Sequence, residues 1–296
     1  MDKEEKEKWL LAGKIGKEVR QYAVSLAVPG ESLLDIARKT DEKIREYGAK
    51  PAFPINISIN NIAAHDHPNI DDERKLKEGD IVKIDLGASI DGYLSDTAET
   101  VVVGGGSNKL VEASRDALNA VMGIIEPEME IDVISETIEK TVRSYGFSPI
   151  VNLGGHGIKR FDLHAHDFIP NVNQHTGKRL IKEGVIAVEP FVTNGEGYVI
   201  DSSEVKILML QKEKPVRDPS ARKVLEYVKN EYNTLPFARR WIEEKFGAMS
   251  NYAIKSLVSA GVLYEFHVLK EASGGLVTQF EHTFLFDEGK VIVTTY

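Results

Sequence analysis

The sequence IVKIDLGASIDGYLSDTAETVVV, residues 81–103, decides the fold. It consists of two apolar, β-branched runs joined at Asp91 and Gly92. This dipeptide is typical of the tight turn in a β-hairpin, because both residues tolerate left-handed backbone conformations. With these two residues as the loop, the numbers of paired residues add up to 183, so residue 98 lies opposite Asp85 and residue 96 opposite Gly87. The sequence therefore predicts a hairpin with a defined register.

Two aspartates interrupt the apolar hairpin, Asp85 in its first strand and Asp96 in its second. Aspartate is depleted in strands, and a carboxylate beside Ile84 and Leu86 costs several kcal/mol of desolvation unless a positive group meets it. In the predicted register the two aspartates are diagonal neighbours on one face, roughly 7–8 Å apart at Cα. They are then within reach of one shared ion. The alternative is two solvated aspartates, one near the turn and one at the sheet edge.

The composition limits the possible classes of protein. The chain has 296 residues, 42% of them hydrophobic and 28% charged, which is ordinary for a soluble globular protein. It contains no apolar run of about 18 residues, and its N-terminus, MDKEEKEKW, has no apolar signal core, so we expect a cytoplasmic protein. The absence of cysteine excludes disulfides, thiolate metal sites and cysteine nucleophiles. A net charge of −9 argues against nucleic acid as a main ligand.

The N-terminal third alternates helical and extended segments. Apolar residues recur at three-to-four spacing over residues 3–27, which predicts an amphipathic helix that stops at Pro29 and Gly30. Ser32 is expected to cap a second helix that ends at Tyr47 and Gly48. Residues 51–64 are extended and apolar, and further helices are predicted over residues 107–125 and 132–145.

An internal repeat relates the two halves of the chain. A shift of 98 residues superposes the helix, glycine and proline pattern of residues 29–51 on residues 127–149. A shift near 105 lays LKEGDIVKID, residues 76–85, on IKEGVIAVEP, residues 181–190. We therefore expect an α+β fold whose two similar halves pack about a pseudo-twofold axis, with Asp85 in one half and Glu189 in an equivalent role in the other.

A helical insertion is predicted in the second half. Residues 207–267 hold ten basic against seven acidic residues, a net charge of +3. They predict three helices, which open at Asp218, Thr234 and Ser250, so the main domain would comprise residues 1–206 and 268–296. The sheet pattern resumes in LVTQFEHTFLF, residues 276–286, where Glu281 sits in an apolar, alternating strand.

Four carboxylates are thus predicted on sheet strands: Asp85, Asp96, Glu189 and Glu281. They can lie together only if cations neutralise them, because like charges at close range raise one another's pKa. Two divalent ions would balance the four negative charges. The sequence therefore predicts a dinuclear metal site, with the ions about 3.5–4 Å apart.

An imidazole is expected to complete this site. His156 lies in VNLGGHGIKR, residues 151–160, where glycines allow the backbone to approach closely, and it is the candidate ligand. His65 and His164 each follow the strand of their half, and they are placed to donate to a substrate carbonyl or to stabilise developing negative charge. His282 is expected to point away from Glu281. The other histidines are interpreted as solvated or hydrogen-bonded side chains: His67, His166, His175 and His267.

A different metal site would use the His-x-His pairs, His65 with His67 or His164 with His166. Their imidazoles would share one face of a strand. This alternative leaves the four strand carboxylates without a partner.

The five candidate ligands resemble those of a known family. Asp85, Asp96, His156, Glu189 and Glu281, in the contexts KIDLG, YLSDTAET, GGHGI, VEPF and QFEHT, resemble the metal ligands of methionine aminopeptidases. The resemblance covers essentially the whole chain and implies the pita-bread (creatinase/aminopeptidase) fold with its internal pseudo-twofold repeat. The helical insertion resembles the type 2 subclass. The start of the chain, without a zinc-finger or polybasic extension, resembles the short archaeal form.

The resemblance implies a role for each residue. Asp96 and Glu281 would serve both ions, Asp85 one ion, and His156 with Glu189 the other. His65 and His164 would contact the substrate. The family builds its methionine side-chain pocket at positions that correspond here to Phe53, Leu163, Phe191 and Phe266. At the last of these, relatives commonly have tyrosine.

The activity that the resemblance implies is removal of the initiator methionine from nascent polypeptides, by water activated between two ions of Co, Mn, Fe or Zn. Glu189 would pass a proton to the leaving amine. A blind-ended apolar pocket would select methionine, and crowding beside it would favour small second residues. We expect a cytoplasmic monomer that binds N-terminal methionine and has no membrane or specific nucleic acid as a partner.

Two other functions fit part of the pattern. Prolidases and proline-specific aminopeptidases share the fold and the ligands, but they usually carry a sizeable N-terminal domain. The helical insertion also argues against this class of enzyme. A non-catalytic relative would instead use the basic insertion to dock an acidic surface such as ribosomal RNA. Because all five ligands are present in the sequence, we favour the enzyme; a contact with the ribosome stays open.

Overall fold

The structure is a computed structural model that describes the backbone of residues 1–296 and every side chain except that of His166. Its helices are α1 (Lys3–Ser25), α2 (Leu33–Glu46), α3 (Lys109–Met122), α4 (Ile131–Ser144), α5 (Pro219–Glu231), α6 (Arg239–Phe246) and α7 (Met249–Ser259). The strands of the first half are β1 (Lys50–Ile59), β2 (Ile62–Ala64), β3 (Ile81–Ile90), β4 (Tyr93–Leu94) and β5 (Thr97–Val102).

The strands of the second half follow in chain order. They are β6 (Ser148–Pro149), β7 (Gly154–Lys159), β8 (Asp162–Pro170), β9 (Gly184–Val188), β10 (Phe191–Thr193), β11 (Val199–Leu210), β12 (Phe237–Ala238), β13 (Leu263–Glu271), β14 (Val277–Gln279), β15 (His282–Asp287) and β16 (Lys290–Val293). The α+β composition expected from the sequence is confirmed.

The hairpin of residues 81–103 has the predicted register. Asp91 and Gly92 form its turn with φ angles of 52° and 84°, both in the left-handed region that such a turn requires. Strand β3 then pairs with β4 and β5 so that Asp85 lies opposite Ala98 and Ile81 opposite Val102. Turn chemistry alone was sufficient to fix the pairing of the two strands that carry Asp85 and Asp96.

The first two helices also begin and end where the sequence predicts. Helix α1 stops at Ser25, before Pro29, and the side chain of Ser32 accepts a hydrogen bond from the backbone N–H of Asp35 to cap α2. Gly48 follows α2 with a φ of 73°. The apolar faces of both helices pack on β1 and β3 and form the core of the first half.

The repeat is visible in the element bounds. Helix α4 begins and ends 98 residues after α2, and β6 begins 98 residues after β1. A second core, built from α3, α4, β9 and β15, mirrors the core of the first half. Two similar halves therefore each present a face of sheet toward the centre of the molecule.

The strands form sheets that meet at the seam between the halves. In the first half β3 lies between β1 and β5, and in the second half the order is β16-β15-β9-β7-β8. A single bridge joins these sheets, because Ala98 of β5 and Glu281 exchange backbone hydrogen bonds of 3.0 and 3.3 Å. Glu281 therefore lies between β14 and β15, at the seam, rather than inside one continuous strand as the sequence suggested.

The helical segment is carried by two long strands. Strands β11 and β13 pair from Val199 with Glu271 to Leu210 with Leu263, and helices α5, α6 and α7 lie between them in the chain. The expected limits of the insertion, residues 207 and 267, therefore fall on this pair of strands. Helix α5 begins at the predicted cap, Asp218, whose side chain accepts from the backbone N–H of Ala221.

The predicted start of the next helix, at Thr234, is wrong. Residues 237–238 form the short strand β12, which pairs with β11, and α6 begins only at Arg239. The hydroxyl of Thr234 donates to the carbonyl of Phe161 and caps no helix. Helix α7 starts at Met249, one residue before the predicted Ser250. Among the described residues, no helix has the length and apolar character that a membrane span requires.

Candidate metal centre

All of the residues that the sequence singled out as ligands or substrate contacts line one cavity of about 860 Å³. They are Phe53, His65, Asp85, Asp96, His156, Leu163, His164, Glu189, Phe191, Phe266 and Glu281. The cavity lies between the sheets of the two halves and is bordered on one side by β11 and β13. Residues far apart in the sequence thus meet in one place.

The seam between the halves brings two of the acids together. Beside the Ala98–Glu281 bridge, the backbone N–H of Asp96 donates to the hydroxyl of Thr283 over 2.8 Å, and that hydroxyl donates to the carbonyl of Asp96 over 2.7 Å. The hydroxyl of Thr97 donates to the carbonyl of Glu281 over 3.0 Å. Asp96 and Glu281 are therefore held by backbone contacts across the seam, and their side chains remain free to face the cavity.

The ligand atoms of these residues are close enough for a metal ion. One ligand atom each from Asp96, His156 and Glu281 lies within 4.8 Å of the others. His156 Nε2 is 3.5 Å from a carboxylate oxygen of Asp96 and 3.6 Å from one of Glu189. Asp96 is 4% exposed, His156 7% and Glu281 1%, so water has little access to their polar groups.

The pKa values of all four carboxyl groups are raised, first by burial and, for three of them, also by the charges of the other acids, as the sequence predicted. Burial raises the pKa of Asp85 to about 7, and a hydrogen bond from Gln279 opposes this shift. Burial and the charge of Asp85 raise the pKa of Asp96, and burial with the charges of the other acids raises those of Glu189 and Glu281. These side chains lie close together at a free-energy cost that cations would remove.

The chain itself supplies little positive charge to this cluster. Among the described side chains, His156 is the basic group that lies within ion-pair distance of the four acids. One carboxylate oxygen of Asp85 and one of Glu281 are buried without a hydrogen-bond partner in the described part of the chain. Buried oxygens of this kind are the ligands that divalent cations need, so the residues fit a metal centre.

The local sequence around His156 orients its imidazole. Gly154 and Gly155 pack so tightly in β7 that a Cβ atom would come within 2.2 Å of the carbonyl oxygens of Ile169 and Ala187, which confirms the close approach predicted there. The Nδ1 atom of His156 lies 3.2 Å from the carbonyl oxygen of Gly157, and burial lowers the pKa of the ring to about 4. A neutral ring that donates from Nδ1 presents the Nε2 lone pair to the acids, which suits a metal ligand.

Gln279 is a member of the cluster that the sequence reasoning missed. Its amide nitrogen is 3.1 Å from Glu189 and 3.4 Å from both Asp85 and Glu281. The residue is 1% exposed. The signal was available, because Gln279 is two residues before Glu281 and alternation in an extended segment places both on one face. We expect its amide to orient the carboxylates.

The two predicted substrate histidines lie next to the cluster. The rings of His164 and His156 are 4.5 Å apart, and His65 lies 5.3 Å from Phe266. Burial lowers the pKa of His65, and lowers that of His164 together with the nearby His156 and His65, although His164 remains accessible through the open cavity. Both rings are therefore neutral near pH 7.

The hydrogen bond of His65 fixes which side of its ring can accept. Nδ1 lies 3.0 Å from the carbonyl oxygen of His267, and in a neutral ring this nitrogen carries the proton that it donates. The Nε2 atom of His65 is then an acceptor. A group that accepts suits a substrate N–H better than the substrate carbonyl that the sequence suggested.

The predicted methionine pocket is apolar. Phe53 and Leu163 are 5% exposed and Phe191 is 2% exposed, whereas Phe266 is partly open to the cavity beside Tyr264. The cavity also includes Ile207 and Met209 of β11, which the sequence did not single out. An apolar side chain fits such a lining.

The other four histidines whose side chains the structure describes lie outside the centre. His282 contacts Arg20 and Thr295, which confirms that it points away from the site. His67 is bound on both ring nitrogens, by the carbonyl of Ile55 and by Arg240, so it cannot join His65 as a ligand pair. The hydrogen-bond partner of His267 is the carbonyl of Ser202, and His175 is exposed. The His164 and His166 pair lies outside the described residues, since the side chain of His166 is not among them.

The sequence is similar to a family of peptidases along most of its length. The model of metallopeptidase family M24 matches residues 7–217. A methionine aminopeptidase of Pyrococcus abyssi (strain GE5 / Orsay) is 48% identical over 291 residues, which cover 98% of this chain and 99% of that protein.

Solved structures agree with the fold. The crystal structure of a methionine aminopeptidase from Thermotoga maritima has a TM-score of 0.73 at 25% identity and covers 100% of this chain and 98% of that one. The structure of a thermophilic Arx1 has a TM-score of 0.88 at 18% identity and covers 99% of this chain and 91% of that one, which shows the fold alone. The predicted pita-bread fold is thereby confirmed.

Proposed function

The chain belongs to metallopeptidase family M24, and we propose that its cavity is the active site at which an N-terminal methionine is removed from a polypeptide. The protein is thus a metallo-aminopeptidase, a hydrolase of peptide bonds. The observation that carries the assignment is the meeting of four carboxylates and one imidazole, drawn from both halves of the fold, in a cavity lined by apolar rings. Such a site can hold cations and an N-terminal residue side by side.

Five residues would hold the metal: Asp85, Asp96, His156, Glu189 and Glu281. Two divalent ions of Co, Mn, Fe or Zn would neutralise the four acids and, when bound, would supply an acidified water molecule and polarise the scissile carbonyl. The unpartnered oxygens of Asp85 and Glu281 and the neutral Nε2 of His156 support this set. The amide of Gln279 would keep three of the carboxylates in place.

Three residues would handle the substrate and its protons. The side chain of Glu189 is 12% exposed, against 5% for Asp96, and we expect it to reach both the water and the leaving amine and to carry the proton between them. His65 Nε2 would accept a hydrogen bond from an N–H of the substrate. His164 is open to the cavity and would donate to the substrate carbonyl, stabilising the charge that develops there.

The pocket formed by Phe53, Leu163, Phe191 and Phe266 would receive the methionine side chain. Their apolar surfaces would bind a thioether chain and give a charged or strongly polar first residue no partner. Crowding by His65 and Phe266 at the exit would favour a small second residue. In this proposal Phe266 acts by packing, since phenylalanine has no hydroxyl to donate.

Some properties of the protein around the site are also proposals. We propose a main domain of residues 1–206 and 268–296 with an inserted helical segment of residues 207–267, and a monomer that works in the cytoplasm on nascent polypeptides. The net charge of +3 in the insertion suits contact with an acidic surface such as the ribosome. The net charge of −9 for the chain argues against a specific nucleic acid partner.

The test compares two peptides at equal concentration with the metal-loaded protein. We expect release of methionine from Met-Ala-Ser and little cleavage of an Ala-Pro peptide, because the pocket is shaped for a long apolar first residue. Release is measured by chromatography of the free amino acid. Efficient cleavage of Ala-Pro peptides alone would replace the proposal with a proline-specific peptidase, and ribosome binding without any release would indicate a binding protein.

A further inference from the structure

His65 combines a place in the cavity with a strained backbone. Its φ angle is 63°, in the left-handed region that residues other than glycine seldom occupy. Such a conformation is unfavourable for a residue with a side chain and persists only where the surrounding structure enforces it. The strain therefore has to be held by contacts on both sides of this residue.

The contacts before His65 come from β13. Ala64, at the end of β2, pairs with Leu269, and the ring of His65 bonds to the carbonyl of His267. These contacts fix the chain up to His65 and one edge of its ring. They do not fix the direction in which the chain leaves the residue.

The contacts after His65 come from the next residue, Asp66, which is 1% exposed. Arg74 donates to both of its carboxylate oxygens, over 2.7 and 3.0 Å, and Lys206 Nζ donates over 2.9 Å. Its carbonyl oxygen accepts from the backbone N–H of Ile57 over 2.7 Å. Asp66 is thus tied to β1, to β11 and to the loop that precedes β3.

The charge balance of Asp66 supports a fixed, ionised side chain. Burial alone would raise the pKa of its carboxyl group, but the hydrogen bonds and charges of Arg74 and Lys206 outweigh it and hold the pKa below the ordinary value. A buried carboxylate with bidentate and charge-assisted bonds has little freedom to move. The residue that follows His65 is therefore clamped.

We propose that Asp66 is a positioning residue: clamped by Arg74 and Lys206, it keeps His65 in its left-handed conformation and so aims the imidazole into the cavity. The inference rests on the proposed function, in which His65 contacts the substrate. Without the clamp, His65 relaxes to a negative φ, and its ring leaves the place where it meets the substrate N–H.

Each cation that binds Asp66 also has a second acid partner. Arg74 pairs with Asp72 at 2.7 Å, and Lys206 pairs with Glu204 at 3.1 Å. Neither cation loses its last partner when Asp66 is neutralised, which limits the cost to folding. The same arrangement provides matched controls, because Asp72 and Glu204 are acids on the same two cations but do not adjoin His65.

The experiment compares Asp66→Asn with Asp72→Asn and Glu204→Gln, each of which removes one negative charge. Displacement of a contacting group by about 1 Å can cost 100-fold, so we expect kcat/KM on Met-Ala-Ser to fall about 10- to 100-fold in Asp66→Asn. The two controls should stay within about twofold of the unchanged protein. Bound metal, measured by elemental analysis, should be equal in all four proteins.

A double-mutant cycle separates positioning from general destabilisation. If Asp66 acts through His65, then Asp66→Asn should cost nothing further in a protein that already carries His65→Ala. An equal loss in both backgrounds would overturn the inference and leave a structural role. Wild-type activity in Asp66→Asn would overturn it too, while the proposed function would stand.

The NMR signal of the His65 imidazole gives a readout that does not depend on turnover. It is assigned by its loss in His65→Asn. The signal should shift in Asp66→Asn and stay in place in Asp72→Asn and Glu204→Gln. An unmoved signal would overturn the inference. If the unchanged protein releases no methionine, the proposed function fails, and this signal still decides whether Asp66 holds His65.

Discussion

Asp66 in the first half of this protein and the carboxylate cluster at the seam differ in how their negative charge is balanced. Asp66 is surrounded by Arg74 and Lys206, and its pKa is held below the ordinary value. Asp85 and Glu281 face other acids, and their pKa values are raised. All three carboxyl groups have lost most of their contact with water.

The difference teaches where the protein provides its own countercharge and where it leaves that to an ion. Around Asp66 the fold supplies two cations, and the result is a rigid tie between elements. Next to the four cavity acids lie the neutral imidazole of His156 and the amide of Gln279, which orient the acids without neutralising them. The ion pairs of Asp66 stabilise the fold. The acids of the cavity repel one another, and bound metal removes this repulsion.

Removal of the metal should show the contrast most strongly. A chelator should lower turnover of Met-Ala-Ser by about 10³-fold or more, because the proposed reaction depends on water whose pKa the ions lower. It should also lower Tm by about 9 °C, since each of two ions at 100 times its Kd contributes about 2.7 kcal/mol. Calorimetry and methionine release measure both effects, and adding Mn or Co back should restore them. Full turnover after verified removal of metal would contradict the claim that the acids of the cavity depend on bound ions.

Substitution of one acid of the cavity should come next in size. Glu281→Ala should lower kcat/KM by about 100-fold and reduce the metal bound per chain, because this acid is assigned to both ions. The control is His175→Ala, an exposed side chain outside the cavity, which should change activity by less than about twofold. Elemental analysis and peptide kinetics measure the outcome. Equal activity in the two variants would remove Glu281 from the site.

The smallest expected effect is on the pH dependence of Tm in the metal-free protein, compared between the unchanged protein and Asp85→Asn. The pKa of Asp85 is raised to about 7, so between about pH 4 and that value the folded state holds a proton that the unfolded state lacks. The free energy of unfolding then falls as pH rises through this window. In Asp85→Asn the fall should be smaller, as measured by Tm after metal removal.

Asp66 should behave in the opposite sense. Its pKa is lowered, so the stability that it contributes is present at neutral pH and is lost as pH falls below about 4. The difference in Tm between the unchanged protein and Asp66→Asn should therefore be constant from about pH 5.5 to pH 7.5 and shrink only in acid. If both variants showed the same pH profile, the two groups of acids would not differ as described.

Local sequence could predict the features that local chemistry controls. The register of the hairpin follows from Asp91 and Gly92, since the turn type determines which residues pair. The bounds of α1 and α2 follow from Ser32, Pro29 and Gly48. The repeat was detectable because α4 keeps the 98-residue spacing from α2.

Features that depend on distant partners could not be predicted in the same way. Thr234 has the sequence of a helix cap, but residues 237–238 pair with β11, and this tertiary contact delays α6 to Arg239. The countercharges of Asp66 come from Arg74 and from Lys206, 140 residues away in the chain, which no local pattern indicates. The acceptor role of His65 depends on the carbonyl of His267 and needed the structure.

The bridge between Ala98 and Glu281 has a consequence for the order of folding. Contacts between residues this far apart in sequence form late, because a long loop must close before they are made. Each half can build its own core first, and docking of the halves then completes the set of ligands. The rate of ion uptake during refolding would therefore report the rate of this final assembly step, separately from the earlier formation of helices and strands.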